Sequence, residues 1–481
     1  MTDDTGLLEH ALGRTPRRLE GYTTDDNARS LWVVTEWLRD APGSEVGESD
    51  RRLLLELASI YLSFMLWQQK EDGWWHNNVA YDRSPEEESV SHDCQGRSIW
   101  ACVDAWVGLP DSHKEAAKAM FECAMPTIPR IDSLRGKGYT LSACAHALEA
   151  ERLGQISFKP GWREQLKSHV VRLQDELIDM FNRHSDEEWR WFEPVMSYGN
   201  GVLPWSLLRS YRVTRAPEAL EIGLDSLSSL RIAMTAEEGW LRPIGNSAWR
   251  SREHSSQWDQ QPLEIFKLAL ALEEGAMALE EAGKQGISLL LAYEQGADSN
   301  RTQPGSRKSG AGDPAAPGFR GASAIRAPEV GIALAVRAET EERWSDARVA
   351  AASARPSPAR RDDRGADGQG EAAAADRGQR RVAARGAGEA AAVSQPQPGD
   401  REGAASYATE ARAIEVADYA AQLRAARNRC LDWFFGDNDL GAIMADELDG
   451  SGCDGLQQDG PNVNCGAEST IAYLMTAALC R

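Results

Sequence analysis

Apolar positions along the chain recur at intervals of three and four, the spacing of one helical face. Beyond Asp25 and Asp26, which read as a helix cap, the pattern runs through Ala28, Leu31, Trp32, Val34, Thr35 and Leu38. A wider face, Leu53, Leu54, Leu57, Ile60, Tyr61, Phe64, Met65 and Leu66, predicts a helix over about 50–69. The same spacing predicts helices near 94–108, 112–125, 138–154, 161–184, 201–213, 216–234, 259–282, 408–434 and 465–480. Strand-type alternation is absent throughout. Eleven helices and no strands predict an all-α fold.

The helices carry a cadence. Several end in an acidic pair followed by tryptophan: Glu71-Asp72 before Trp74-Trp75, Glu187-Glu188 before Trp189, and Glu237-Glu238 before Trp240. A polar loop bearing asparagine follows each: HNNVAYDR, FEPVMSYGN and RPIGNSAWR. A fourth rich loop, GDNDLGAIMADELDGSGCDG, follows the helix ending at Phe435. Helix pairs that repeat with rich loops on one side predict a closed ring of helical hairpins. Twelve helices close a six-hairpin ring. Eleven are visible, which places the missing one in or beside the segment that departs from the pattern.

That segment, 296–405, divides one toroidal domain into 1–295 and 406–481. Its centre, 351–400, holds 15 Ala, 8 Arg, 7 Gly and 4 Pro, and no Leu, Ile, Phe, Tyr, Trp, Met or Lys. Such a stretch has almost nothing to bury and reads as a disordered or loosely helical insertion. An Arg-rich, Lys-free composition equally fits a GC-rich gene read out of frame.

Charge narrows the function. The 481 residues carry a formal net charge of −21, which argues against nucleic acid, whose phosphates need a basic face. It also disfavours an anionic membrane. No apolar run is long enough to span a bilayer. The start, MTDDTGLLEH, has no secretory pattern, so a cytoplasmic location is expected. The eight Cys form no CxxC pair and read as buried free thiols. No His pair has metal-ligand spacing and no phosphate-cradling glycine loop is present, so neither a metal nor a cofactor is expected.

The sixteen Trp and the polar clusters point to sugars. Aromatic faces stack on the C–H faces of a sugar ring, and carboxylates and amides bond its hydroxyls. Trp75 and Trp191 offer such faces, and His76 and His92 sit in the same rich loops. Trp100 and Trp106 lie on a helical pattern and read as core. Glycosidic bond cleavage needs two carboxylates. The candidates are Asp25, Asp26, Asp82, Asp93, Glu193, Asp259 and Glu468. For Asp25, Asp186 and Glu237 a cap or surface role is the better reading.

At these clusters the chain resembles a bacterial family of six-hairpin (α/α toroid) proteins of the glycosidase-like superfamily. Its members are described as glycosyltransferases or glycosidases and are often encoded beside mannan-processing genes. The family start looks like DHxGLxEHAxGxxPRRxxGYxTDDxAR, where this chain has TDDTGLLEHALGRTPRRLEGYTTDDNAR. WHNNVAYDR, SHDCQGRSIW, WRWFEPVMSYGNGVLP, RPIGN, WDQQPLE, WFFGDNDLG, CDGL and NVNCGAEST match later family motifs. The likeness covers about 5–283 and 408–481. His92 replaces a family acid, Cys465 stands where Gln is usual, and the family has only a short link in place of the aberrant segment.

The resemblance implies a carbohydrate site in the mouth of the toroid. It would be lined by Asp26, Arg29, Asn77, Tyr81, Asp82, Arg83, Asp93, Arg97, Glu193, Tyr198, Asn200, Asn246, Asp259, Gln260, Asn438, Asp439 and Glu468. The expected roles are Asp93 or Glu193 as acid and Glu468 or Asp26 as base. The first reading is therefore an enzyme that cleaves or transfers glycosidic bonds in mannose- or glucose-containing oligosaccharides. A sugar epimerase on the same toroid is a second reading, with His76 and His92 as its acid/base pair. A third is a prenyl or terpene cyclase toroid, since Gln69 to Trp75 matches one QxxxGxW repeat. A non-catalytic glycan-binding partner of a glycosyltransferase is a fourth.

Overall fold

The computed structural model describes residues 1–39, 47–285 and 416–481, together with the backbone of three strands at 288–293, 330–335 and 412–414. The expected insertion at 296–405 lies outside the described residues, apart from the backbone of the strand at 330–335. Eleven α-helices are described: α1 (Thr24–Leu38), α2 (Glu48–Gln68), α3 (His92–Gly108), α4 (Asp111–Ala124), α5 (Leu134–Arg152), α6 (Trp162–His184), α7 (Val202–Thr214), α8 (Pro217–Ala233), α9 (Pro262–Lys284), α10 (Val416–Phe434) and α11 (Ala467–Cys480). All eleven expected helices are there.

Strands, which the sequence pattern did not announce, are short. They are β1 (Ala11–Leu12) with β2 (Thr15–Pro16), β3 (Tyr22–Thr23) with β4 (Asn78–Val79), and β8 (Gly455–Gln457) with β9 (Gly460–Asn462), each pair antiparallel. The strands at 288–293, 330–335 and 412–414, β5 to β7, pair antiparallel with β5 central. Runs of two and three residues are too short to show alternation, and the two six-residue strands, SLLLAY and VGIALA, are apolar nearly throughout and do not alternate.

Helix contacts close a ring. α1, α3, α5, α7, α9 and α11 each pack on the next, and α11 returns to α1. These six inner helices alternate with α2, α4, α6, α8 and α10 outside. The fold is an α/α toroid. The segment in which the sequence placed the missing helix is outside the described residues but for one strand. Among the described residues the outer position without a helix falls at the seam between α11 and α1. There an apolar groove of about 560 Å³ is lined by Val33, Val34 and Trp37 of α1, Leu57 and Tyr61 of α2, and Ile471 and Leu474 of α11.

Local sequence starts these helices. Thr23 accepts the Asp26 amide through Oγ1 at the start of α1, Ser91 that of Cys94 at α3, and Ser133 that of Gly136 at α5. The cap of α1 is thus Thr23 and not Asp25. Pro217 and Pro262 open α8 and α9 at positions where no amide is needed. The inner helices are buried nearly all round, α3 without a break from Cys94 to Trp106. Such helices lack a solvated face, so they show a weak amphipathic signal.

Tryptophan fills the ring. Trp100 lies 5.3 Å from Trp32, 5.1 Å from Trp205 and 5.6 Å from Tyr139, centre to centre, and Trp32 lies 5.6 Å from Phe266. Five inner helices therefore meet in one aromatic floor. Trp75, Trp100, Trp191, Trp205 and Trp433 are fully buried. Much of the tryptophan that pointed to sugar stacking is core.

One close approach sets the site. α3 and α5 cross at Gly96 and Gly136, and a Cβ on Gly96 would lie 2.4 Å from the Gly136 carbonyl oxygen. The crossing brings Asp93 on α3 against the Ser133 hydroxyl at the start of α5. Gly96→Ala is expected to cost about 2–3 kcal/mol, because backbone and not a flexible side chain must yield. Denaturant titration checks it; an unchanged midpoint would mean that the helices separate freely.

Candidate functional site

The mouth of the ring is built from loops at the starts of the inner helices. β3 pairs with β4, and this joins the GYTTDD and HNNVAYDR stretches. Gly21 permits the approach: its φ is +71° and a Cβ there would lie 2.1 Å from the Val79 carbonyl oxygen. Asn77 accepts the Asp25 amide at 3.1 Å and its carbonyl accepts the Thr24 amide at 2.9 Å. On the far side, Gln260 and Leu456 exchange two backbone bonds of 3.0 Å, which sets the loop before α9 beside β8.

Between these loops lies a cavity of about 330 Å³. Six carboxylates line it: Glu9, Asp25, Asp26, Asp259, Asp454 and Glu468, with Arg29, His10, Asn77 and Gln261 among them. Arg29 organises the centre. Its Nη1 donates to Asp26 at 2.5 Å, and its Nη2 reaches Glu468 at 2.7 Å and Asp25 at 3.5 Å. Since both bonds leave one planar guanidinium, the bound oxygens of Asp26 and Glu468 are no more than about 8 Å apart. Asp25 also pairs closely with Arg97 of α3. Asp25 therefore faces the cavity and is no cap.

The environments of these acids differ. Burial pushes the Asp26 carboxyl up, and Glu468 adds to this while Arg29 opposes it. Glu9 is raised by burial and then by its neighbour Asp26. Burial also raises Asp454, although the Gly466 amide donates to it at 2.7 Å. Asp259, with φ +64°, accepts from Asn246 at 3.0 Å, Gln261 at 3.0 Å and Gln457 at 2.5 Å.

A second polar cluster adjoins the first through α3. Asp93 stands one turn before Arg97 on the same face. It accepts from Ser133 and, at 2.7 Å, from the Tyr198 hydroxyl. Burial and the Asp93 charge push that phenol up to about 12. Arg135 clasps Glu193 and donates to the Tyr198 carbonyl at 2.8 Å. Tyr198 is well exposed and lies 6.5 Å from Trp249, centre to centre. Tyr198 and Trp249 are the aromatic faces open at this wall.

Other expected site residues hold the loops and do not face the cavity. Trp75 and Trp191 are buried, and the Trp75 indole donates to the Met65 carbonyl at 2.9 Å. Asn438 is buried, with all four of its hydrogen bonds spent inside its own loop. Asp439 accepts from Trp240, Arg242 and Gln260; these bonds outweigh the burial that would raise it and hold it below the usual range. Gln260 and Asn200 are fully buried, and Asn200 donates to Glu264 at 2.9 Å. Bonds to loop backbone or to neighbouring side chains hold each in place, and a sequence cannot tell such a group from one that meets a ligand.

The remaining residues lie further out. Asp82 is exposed and accepts from Ser84, and Arg83 pairs with Asp4 at 3.0 Å. Tyr81 stacks on Tyr22 at 6.2 Å. His76 lies 3.2 Å from Glu88 and 2.9 Å from the Asn78 carbonyl oxygen. His92 accepts the Asp132 amide at 2.8 Å and packs on Trp74 at 5.3 Å. Neither imidazole lines the cavity, so the two do not oppose each other across it. Gln69 and Trp75 of the QxxxGxW stretch both bond backbone carbonyls of adjacent helices.

The site groups that were not foreseen include Glu9, Asp454, Glu88, Trp249 and Lys267. Glu9 lies in the LEHALGR stretch and Asp454 in CDGL, so motif content marked both regions. Glu88 receives the Asn77 and Asn78 amides at 2.7 and 2.8 Å. Lys267 of α9 lies in the aromatic floor, 4.5 Å from the Phe266 ring centre, 4.8 Å from Tyr139 and 5.2 Å from Trp100. Its amine is fully buried with no hydrogen-bond partner. Burial, with Arg97 and Arg29, holds its pKa well below the ordinary lysine value.

A base depressed in the fold binds its proton more tightly when unfolded, so it penalises folding most at low pH. The penalty fades as pH climbs toward about 10.4. Lys267→Met is therefore expected to stabilise the protein by about 1–3 kcal/mol at neutral pH, with the gain shrinking in alkali. Thermal melts from pH 6 to 10 test this; a lower midpoint at every pH would mean that the ring contacts outweigh desolvation.

Among the described residues no group of three or more His, Cys, Asp or Glu is arranged to hold a metal. No described helix is long and apolar enough to cross a membrane. The sequence matches no protein-family model and no curated protein. In three dimensions the chain is similar to a sugar epimerase from a ruminal bacterium, with TM-score 0.45 and 13% identity over 60% of this chain and 78% of that one. It is similar to cellobiose 2-epimerase from Bacillus thermoamylovorans, with TM-score 0.42 and 11% identity over 59% and 81%. It is also similar to an α-mannanase from Bacteroides thetaiotaomicron, with TM-score 0.35 and 13% identity over 55% and 71%.

Proposed function

We propose that the chain is a carbohydrate-active enzyme that cleaves or transfers a glycosidic bond in mannose- or glucose-containing oligosaccharides. The observation that carries this is the convergence of unlike carboxylates on one cavity around Arg29. Glycosidic chemistry needs one carboxyl that holds a proton and one that is ionised. Glu9, which burial and Asp26 push toward the protonated form, is the proton donor in this reading. Glu468, held by Arg29 at the start of α11, is the base or nucleophile. Asp26, buried beneath them, positions Arg29. Asp93, Tyr198 and Trp249 form the adjoining wall and bind a neighbouring sugar unit. Glu193, clasped by Arg135, supports that wall and is not the acid.

The test is incubation of the purified protein with a panel of mannose- and glucose-containing oligosaccharides, with and without inorganic phosphate, followed by proton NMR of the products. New reducing ends or sugar phosphates are expected, and the first anomer formed reports the stereochemistry. Saturable binding without bond cleavage on every oligosaccharide would instead support the glycan-binding partner. A change at one carbon of an uncleaved sugar would support the epimerase.

A further inference from the structure

Cys465 stands where the resembling family has Gln, and Cys453 begins the CDGL stretch. The fold brings the two together. The Asp454 amide donates to the carbonyls of Asn464 at 2.8 Å and Asn462 at 3.1 Å, which draws the chain before β8 against the chain after β9. The 2.8 Å bond joins the peptide group beside Cys453 to the one beside Cys465, so the two cysteines are neighbours across the two segments, and both are free. Their surroundings differ. Cys465 is buried, with its amide bonded to the Gly13 carbonyl at 2.9 Å, and Cys453 is half-buried. Cys465 also borders the apolar groove at the seam of the ring.

We propose that Cys453 and Cys465 are a disulfide-forming pair that clasps the loop carrying Asp454 to the start of α11, the helix that carries Glu468. The oxidant class is a small-molecule disulfide. Cys453 gives up its proton, and its thiolate attacks one sulfur of the small disulfide. A mixed disulfide forms and one small thiolate leaves. Cys465 then loses its proton, attacks the Cys453 sulfur and expels the second small thiolate. Two protein thiols are oxidised, one small disulfide is reduced to two thiols, and the two protons end on the leaving thiols. The more open thiol reacts first and the buried one resolves it.

Burial holds the Cys453 thiol up to about 11. Only the thiolate attacks, so the rate rises about tenfold per pH unit from neutral to mildly alkaline pH. The link would join segments that the backbone already holds together, so Glu468 is expected to keep its place on Arg29. Oxidation therefore stabilises the fold and leaves turnover within about twofold, since the clasp constrains chiefly the unfolded chain.

The experiment treats the native full-length chain with oxidised glutathione near pH 8, blocks remaining thiols with iodoacetamide and maps peptides by mass spectrometry. A link between Cys453 and Cys465 is expected, with a higher thermal midpoint that dithiothreitol reverses. Cys465→Ser is expected to accumulate glutathione on Cys453, since no resolving thiol is left. Eight alkylated thiols after oxidation of the native protein, a link at Cys430 and Cys480 in its place, or no adduct on Cys465→Ser would overturn the pair.

Discussion

Glu468→Gln is expected to lower kcat by about a thousandfold while oligosaccharide still binds within a few-fold of the native affinity. The change is nearly isosteric. Its amide oxygen can still accept from Arg29 Nη2, now 2.7 Å from Glu468, so Arg29 and Asp26 keep their places. What is lost is the charge that would activate water or attack the anomeric carbon. The side chain is partly exposed, so the thermal midpoint should hardly move. Calorimetric titration beside a turnover assay separates the outcomes. Lost turnover with retained binding marks catalysis. Parallel loss of both would make Glu468 a sugar ligand and move the glycan-binding reading ahead.

Arg29→Ala is expected to be the most destabilising substitution in the site, at about 3–5 kcal/mol. Arg29 is fully buried and serves three carboxylates, so its loss strands Asp26 as an uncompensated buried charge. Asp26 must then take up a proton to stay inside. The sign of the pH dependence follows. Burial already raises Asp26 in the fold, and without Arg29 its folded pKa rises further above the unfolded value. An acid raised in the fold stabilises below its unfolded pKa, and that contribution is lost as pH rises through the folded pKa. The variant should thus lose least near pH 4 and most above neutrality. Denaturant melts from pH 4 to 8 check this; a deficit independent of pH would mean that lost packing, and not the stranded carboxylate, sets the cost.

Much of the ring was legible. The apolar pattern placed all eleven described helices, although it is weak in the inner ones, and the recurring rich loops marked the mouth. Among the described residues the outer position left without a helix is at the seam of α11 and α1, a closure property invisible in chain order. Within the site, Asp26, Arg29, Asn77, Asp259 and Glu468 were named and do converge. Asn438, Asp439, Gln260 and Asn200 sit in equally rich motifs, yet their polar atoms turn inward, to loop backbone in Asn438 and to other buried side chains in the rest. Trp75 and Trp191 were read as sugar platforms and are core. Glu9 was missed although its motif was quoted, because nothing local distinguishes it; only the fold brings Asp26 and Glu468 to its side. Lys267 was missed because a single lysine in a helical run reads as a solvated residue.

The central claim is that Glu9 and Glu468 flank the bond that breaks. A crystal structure of the Glu9→Gln variant with a bound oligosaccharide tests it most directly. The account predicts a glycosidic oxygen within hydrogen-bond reach of the side-chain amide that replaces the carboxyl at position 9, with the anomeric carbon facing Glu468 and the next sugar unit against Tyr198 and Trp249. A sugar seated wholly on the Asp93–Tyr198 wall, with no inter-sugar bond between positions 9 and 468, would contradict it.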